Sequence, residues 1–424
     1  MRHVNKWRWN SAKLYGTYRW PCKRRGINGA AWPTANFSRA DFFRVGSSRR
    51  TFWLVDPDGG CFLSKGVNTV RFNQDNIRDT ERIPYAENCR KKYGDEKTWR
   101  AAVAKRLAGW GFNTLGSWSD ETVAATGTTL AVAPNLDLGM SFAWQHNDRN
   151  RNAPPQCFPD VFDPAFEQHI RERAQRLCAR HSGERRILGW FIDNELRWGP
   201  DGRGPEHLLP LFLSLTETSP GRVAAAGWLR KRGANDPTWS SADIEAFAGL
   251  AADRYFALTA AAIKAADPNH LVLGCRFAVP PPKPVIEAAG WHLDVISFNC
   301  YDLEPTAAID AYARAGKPCL ISEFSFRGAD SGLPNTGGAG PKVATQAERA
   351  ASFRRYVTRA LHRRALVGYH WFEHADQPAE GRFDGENSNF GTVTIEDRVY
   401  DELTRAMAAV NAEAEAMHSA AAAA

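Results

Sequence analysis

The chain contains no stretch of eighteen apolar residues, so no membrane-spanning helix is expected. It contains no C-x-x-C. Its cysteines (Cys22, Cys61, Cys89, Cys157, Cys178, Cys275, Cys300 and Cys319) are widely spaced, which excludes zinc-ribbon and thioredoxin chemistry. Cys275, Cys300 and Cys319 lie in apolar runs and read as small buried hydrophobes, which weakly favours a reducing compartment. No G-x-G-x-x-G follows the first strand candidate, which argues against a doubly wound dinucleotide-binding sheet. The net charge is +7, yet the basic runs are short (Lys23-Arg24-Arg25, Arg49-Arg50) and no basic helix carries stacking aromatics, so nucleic acid is not an expected partner. The first residues, Met1 to Trp7, lack the apolar core of a signal peptide. A cytoplasmic location is expected, or a secreted one if the true start lies upstream. Methionine is scarce at 4 residues, whereas tryptophan reaches 15. Flat aromatic rings serve packing or recognition surfaces, so their positions matter.

At 424 residues the chain fits a large α/β barrel with insertions. Residues 1–40 lack periodicity and read as an arm. A hairpin follows, with Thr51–Val55 and Cys61–Leu63 flanking the turn-forming Asp56-Pro57-Asp58-Gly59-Gly60. Eight β-type runs then come in order: 66–71, 112–118, 129–136, 187–193, 271–276, 294–299, 319–323 and 367–372. Most are apolar at consecutive positions, as strands covered on both faces should be. Helical patterns at 99–109, 164–181, 243–266, 345–364 and 399–417 fall between and after them. The expected fold is a (β/α)8 barrel over residues 66–418, preceded by an arm and hairpin over residues 1–65 and followed by a disordered tail over residues 419–424. Residues 201–241, after the fourth strand, form an insertion expected over the barrel mouth.

Chemistry in such barrels gathers where the strands end. The fourth strand ends in Asp193-Asn194-Glu195 and the seventh in Ser322-Glu323. One such glutamate alone reads as a solvated loop residue. Two, on strands four and seven, match the carboxylate pair of retaining glycoside hydrolysis, in which one attacks the anomeric carbon and the other moves a proton.

Longer strings carry a resemblance. Phe52-Trp53-Leu54-Val55-Asp56-Pro57-Asp58-Gly59 with Gly66-Val67-Asn68 resembles the opening hairpin of the family 50 β-agarases. The string from Gly189 to Gly199, with Asn194-Glu195 inside it, resembles their acid/base segment. Gly368-Tyr369-His370-Trp371-Phe372, Asp376-Gln377-Pro378 and Gly385–Gly391 resemble their strand-eight region. The family 42 β-galactosidases, also of clan A, are more distant. The resemblance spans residues 50 to 410 and implies a role for each matching position. Glu195 would be the acid/base and Glu323 the nucleophile. Asn194 would hold the sugar 2-hydroxyl, Tyr301 would orient Glu323, and Trp371 would form the stacking floor. Trp118 and Trp198 would line outer subsites, and Arg71 and Asn299 would reach substrate or brace the glutamates. Glu373, Asp376, Gln377, Glu386, Asn387 and Asn389 would meet substrate hydroxyls. No metal or organic cofactor is required by this chemistry. Agarases of this type are often secreted and carry a further carbohydrate-binding domain, for which there is no room before residue 50. A short β-galactoside or another oligosaccharide is therefore as good an expectation as agarose.

Two other classes compete. His370-Trp371-Phe372-Glu373-His374 matches the inverted zinc-peptidase motif H-x-x-E-H, which needs both histidines on one helical face. The β-like residues before it and Pro378 after it oppose a helix. A non-catalytic carbohydrate-binding barrel would keep the tryptophans but has no need of both glutamates.

Overall fold

The Asp56–Gly60 turn is built as its composition demands. In the computed structural model, which describes residues 37–146, 158–233 and 239–421, the Asp56 carboxylate accepts the backbone N–H groups of Asp58 and Gly60. Gly59 takes φ +88°, a left-handed angle that costs glycine little. The turn joins β2 (Thr51–Val55) to β3 (Cys61–Phe62) as the expected hairpin. An unexpected strand, β1 (Arg44–Ser48), pairs antiparallel with β2. The arm expected over residues 1–40 lies mostly outside the described residues.

All eight expected inner strands are present, most of them shorter than their apolar runs. They are β4 (Ser64–Val67), β5 (Thr114–Leu115), β6 (Ala131–Val132), β7 (Gly189–Phe191), β8 (Leu271–Gly274), β9 (Ile296–Asn299) and β10 (Cys319–Phe324). A small parallel pair in the next loop, β11 (Arg327–Gly328) and β12 (Lys342–Val343), precedes the last of them, β13 (Leu366–Trp371). Six strands form one parallel sheet in the order β6-β5-β4-β13-β10-β9, and β7 and β8 form a parallel pair. Isolated parallel bridges Val132–Ile187 and Asn135–Phe191 link the β6 segment to the β7 segment. A third, Phe277–Phe298, links the chain after β8 to β9. Every residue of the eight strands is buried, which explains their unbroken apolar character. Packing is close: a Cβ on Gly66 of β4 would sit 2.3 Å from the His370 ring of β13.

Side chains alternate between two apolar clusters along the strands. Ala131, Leu188, Leu271, Leu273, Leu320 and Val367 share one, while Val132, Trp190, Val272 and Ile321 face the larger one with the helices. Those helices are α1 (Pro84–Tyr93), α2 (Glu96–Gly109), α3 (Leu138–His146), α4 (Pro164–Cys178), α5 (Leu208–Leu213), α6 (Pro220–Lys231), α7 (Ser241–Ala266), α8 (Lys283–His292), α9 (Thr306–Ala313), α10 (Gln346–Leu361) and α11 (Asp401–Ala420). Their starts follow from the sequence. Asp95, Asp163 and Thr345 cap α2, α4 and α10, and Ser240 with Asp243 forms a capping box on α7. By length and composition α7 is apolar enough to cross a membrane, but half of its apolar window is buried, and it packs on α4 and α8. Phe212 of α5, in the segment expected as an insertion, packs on Phe247 of α7 and on Phe158 and Phe162 just before α4. The helix α11 runs to Ala420, so the expected tail does not begin at residue 419.

Candidate active site

Glu323 lies near the end of β10, paired in register with Asn299 of β9, and is 4% exposed. Its Oε1 accepts from Arg276 Nη2 at 2.6 Å, and its Oε2 accepts from the Tyr301 hydroxyl at 2.6 Å. Burial pushes its pKa up to about 7, opposed chiefly by the Arg276 charge and aided by the nearby charge of Glu195. Glu195 is more open, with 27% of its side chain exposed. Its Oε1 accepts from Asn299 Nδ2 at 2.8 Å. Arg203, from the insertion, donates to the Glu195 carbonyl at 3.1 Å and stands 3.6 Å from its Oε2. Asn299 joins the two halves of the site. Its Nδ2 also reaches Asn194 Oδ1 at 3.2 Å, and its Oδ1 accepts from the Ser322 hydroxyl at 2.8 Å, next to Glu323 in the chain.

The segment before Asn194 is anchored by a residue that sequence reasoning missed. Asp193 is fully buried and accepts the backbone N–H groups of Gly139 and Met140, in the first turn of α3, at 2.7 and 2.9 Å. It also accepts from the Tyr255 hydroxyl at 2.6 Å. Burial, with Asp137 nearby, pushes it up to about 7. Arg276 and Arg203 were missed as well. Arg276 closes the fifth β-type run, so the strand-end signal that singled out the glutamates was there to be used. Arg203 lies in a loop with no such signal. Within five residues of the end of each of β4 to β8 stands one non-glycine residue with a left-handed backbone: Thr69, Trp118, Asp137, Glu195 and Arg276, at φ +50° to +60°.

The remaining expected residues divide. Trp118 is half-buried, and the Arg276 guanidinium lies 4.4 Å from its ring centroid, so it belongs to the site. Arg71 pairs with Asp75 at 2.9 Å. Glu386 is half-buried, accepts from Gln377 at 2.9 Å and pairs with Arg382 at 2.6 Å, and its charge is felt by Tyr301. Asn387 donates to the Thr336 hydroxyl at 2.8 Å.

Six expected residues are corrected. Trp371 is 0% exposed; its indole N–H donates to the Phe390 carbonyl and its ring packs on Phe324 and Phe353, so it cannot be a sugar floor. Trp198 is a core residue stacked on Phe256 and edged by Phe158 and Tyr255. Glu373 and Gln377 are buried and bonded to each other, with Thr69 donating to Glu373 at 2.8 Å, and burial raises the Glu373 pKa to about 8. Asn389 is buried and donates to Asp376, itself buried and not open to substrate. These side chains hold the strand-eight loop rather than contact sugar. The zinc-peptidase reading also fails. His370 lies on β13 against the Ser64 hydroxyl at 2.8 Å, whereas His374, beyond the strand, meets the Tyr85 hydroxyl at 3.2 Å. Burial lowers both to about 3. No group of His, Cys, Asp and Glu that could hold a metal occurs among the described residues.

An α/β fold that sets two carboxylates in unlike surroundings at strand ends, one buried on a cation and one open to solvent, has the parts that glycoside hydrolysis needs. Comparison with known proteins points the same way. No known family profile matches the chain. It is 31% identical over 444 residues to Beta-agarase A of Vibrio sp. (strain JT0107), covering 83% of this chain and 44% of that protein. It is 28% identical over 366 residues to Beta-agarase B of the same strain, covering 76% and 37%. The chain thus spans less than half the length of these curated relatives. A solved exo-β-agarase shares its fold, with a TM-score of 0.78 at 22% identity over 94% of this chain and 68% of that one.

Proposed function

We propose that the chain is a retaining glycoside hydrolase of the family 50 β-agarase type, built on a clan A (β/α)8 barrel and cleaving β-linked galactosides. Barrel closure is supported by the parallel bridges on either side of the β7–β8 pair and by the two alternating clusters. The names of the relatives support the substrate class. The observation that carries the reading is the pair Glu323 and Glu195, joined through Asn299 yet unlike in burial and partners.

Glu323 attacks the anomeric carbon. Arg276 and Tyr301 aim its carboxylate and favour its ionised form. Glu195, accessible to substrate, gives its proton to the leaving oxygen and later takes one from water. Asn194, tethered by Asn299, meets the sugar 2-hydroxyl. The test is to incubate the protein with agarose-derived oligosaccharides and aryl β-galactosides and to follow the first-formed anomer by proton NMR. The β-anomer is expected first. First release of the α-anomer overturns double displacement, and binding without cleavage of any substrate leaves a carbohydrate-binding barrel.

The burial of Glu323 predicts a pH dependence. Its folded pKa is raised above the ordinary 4.5, and attack needs the ionised form, so kcat/KM should fall as pH drops through about 7. A kcat/KM profile with its acidic limb at or below 4.5 contradicts this. The same shift has the opposite sense for stability: the folded state binds this proton more tightly, so the group's contribution weakens as pH rises from 4.5 to about 7.

A further inference from the structure

The two oxygens of the Glu195 carboxylate have different surroundings. Oε1 accepts from Asn299 Nδ2 at 2.8 Å. Among the described residues no donor stands within hydrogen-bond distance of Oε2, and Arg203 Nη1 is 3.6 Å away from it. Oε2 is therefore the oxygen left to exchange a proton. Arg203 itself lies in a small clip after β7. Asp201 and Gly204 exchange backbone hydrogen bonds at 3.0 Å, and the Arg203 backbone N–H donates to Asp201 Oδ1 at 2.8 Å. The guanidinium grips Asp201 Oδ2 with Nη2 at 2.6 Å and Nε at 3.1 Å. The Asp201 side chain is buried, and Arg197 approaches it to 3.4 Å. The remaining nitrogen, Nη1, donates to the Glu195 carbonyl at 3.1 Å. The backbone N–H of Glu195 reaches the carbonyls of Cys275 and Arg276 at 3.3 and 3.2 Å. Its left-handed backbone, φ +55°, is thus held between the end of β8 and the clip.

We propose that Arg203 is a positioning residue for the second half of the reaction, turning Oε2 of Glu195 toward the water that frees the sugar. The proposal rests on the double-displacement reading above. Asn299 alone would leave the carboxylate free to turn about its last bond, a torsion with broad minima. Once the leaving group has taken its proton, Glu195 is a carboxylate. The guanidinium beside Oε2 then attracts that oxygen without filling the lone pair that must accept the next proton. In the step that follows, the water oxygen bonds to the anomeric carbon and the water proton passes to Oε2. The ester bond to Glu323 breaks, with its electron pair returning to the carboxylate.

The test uses a dinitrophenyl glycoside of an agarose-derived sugar. Its leaving group departs without a proton, so release from Glu323 limits turnover. Arg203→Gln and Arg203→Met should each lower kcat and KM together by about tenfold, the low end for a hydrogen bond to a charged group, and keep kcat/KM within about twofold. Loss of folded protein would instead lower kcat at constant KM, so the expected pattern belongs to the second step. Azide attacks the anomeric carbon with no proton to lose, so it should restore kcat in both variants and yield the glycosyl azide. An unchanged kcat, a fall in kcat at constant KM, or slow turnover that azide does not relieve overturns the role of Arg203 and leaves both glutamates in theirs. Inverting hydrolysis by the parent, or none, overturns the double-displacement reading and this inference with it.

Discussion

Glu323→Gln is expected to lower kcat/KM on the order of 10⁴–10⁶-fold, the scale of removing a covalent nucleophile. The amide keeps the shape but cannot form the glycosyl ester. It also leaves the buried Arg276 guanidinium facing a neutral group at the 2.6 Å contact, and breaking a buried pair destabilises by roughly 3–5 kcal/mol. Lost activity alone would therefore be ambiguous. Glu323→Asp separates the two effects. It keeps the charge on Arg276 and withdraws the oxygens by one methylene, so the melting temperature should stay close to that of the parent. Activity should still fall about 10²-fold, because misplacement of the order of 1 Å is enough for that. Near-parental turnover in either well-folded variant would remove Glu323 from the nucleophile role.

The second large effect concerns Glu195 and depends on the substrate. With an oligosaccharide, whose leaving oxygen needs a proton, Glu195→Gln should cost about 10²–10⁴-fold. With a nitrophenyl glycoside the leaving group departs unprotonated, so the first step should change little. The second step, which needs Glu195 as base, should become limiting. Stopped-flow traces should then show a burst of nitrophenol followed by slow turnover, with kcat and KM falling together. Equal losses on both substrates, without a burst, would argue that Glu195 acts by position or charge instead of by proton transfer.

The strands were readable because burial on both faces leaves unbroken apolar runs, and the residues just beyond such runs are where the site had to be. That reasoning singled out Glu195 and Glu323, and the family resemblance pointed to Asn299, Tyr301 and Trp118, whose side chains contact one of the two glutamates or Arg276. It missed β1 because Arg44-Val45-Gly46-Ser47-Ser48 has the look of a loop and is a strand only by virtue of its pairing with β2. It misjudged Trp371 because proximity to a strand end does not say which face a side chain takes. His370 turns to Ser64 and Phe191, and Trp371, one residue on, turns the other way onto Phe353 of α10. The buried loop carboxamides and carboxylates, Gln377, Asn389 and Glu373, looked like sugar ligands because the same groups serve to satisfy loop backbone and to bind hydroxyls. Composition does not separate the two uses; burial does.

The five left-handed residues that follow β4 to β8 have a consequence for how this chain can change. Each non-glycine angle of this kind costs about 1–2 kcal/mol, so together they oppose folding by roughly as much as a whole domain has in net stability. Glycine or asparagine at Trp118 or Glu195 would relieve that backbone cost, whereas at Arg276 the loss of its buried pair with Glu323 would outweigh the relief. The same steps would remove the Glu195 carboxylate and the half-buried Trp118 ring. At Trp118 and Glu195, then, stability and the proposed chemistry ask for different residues.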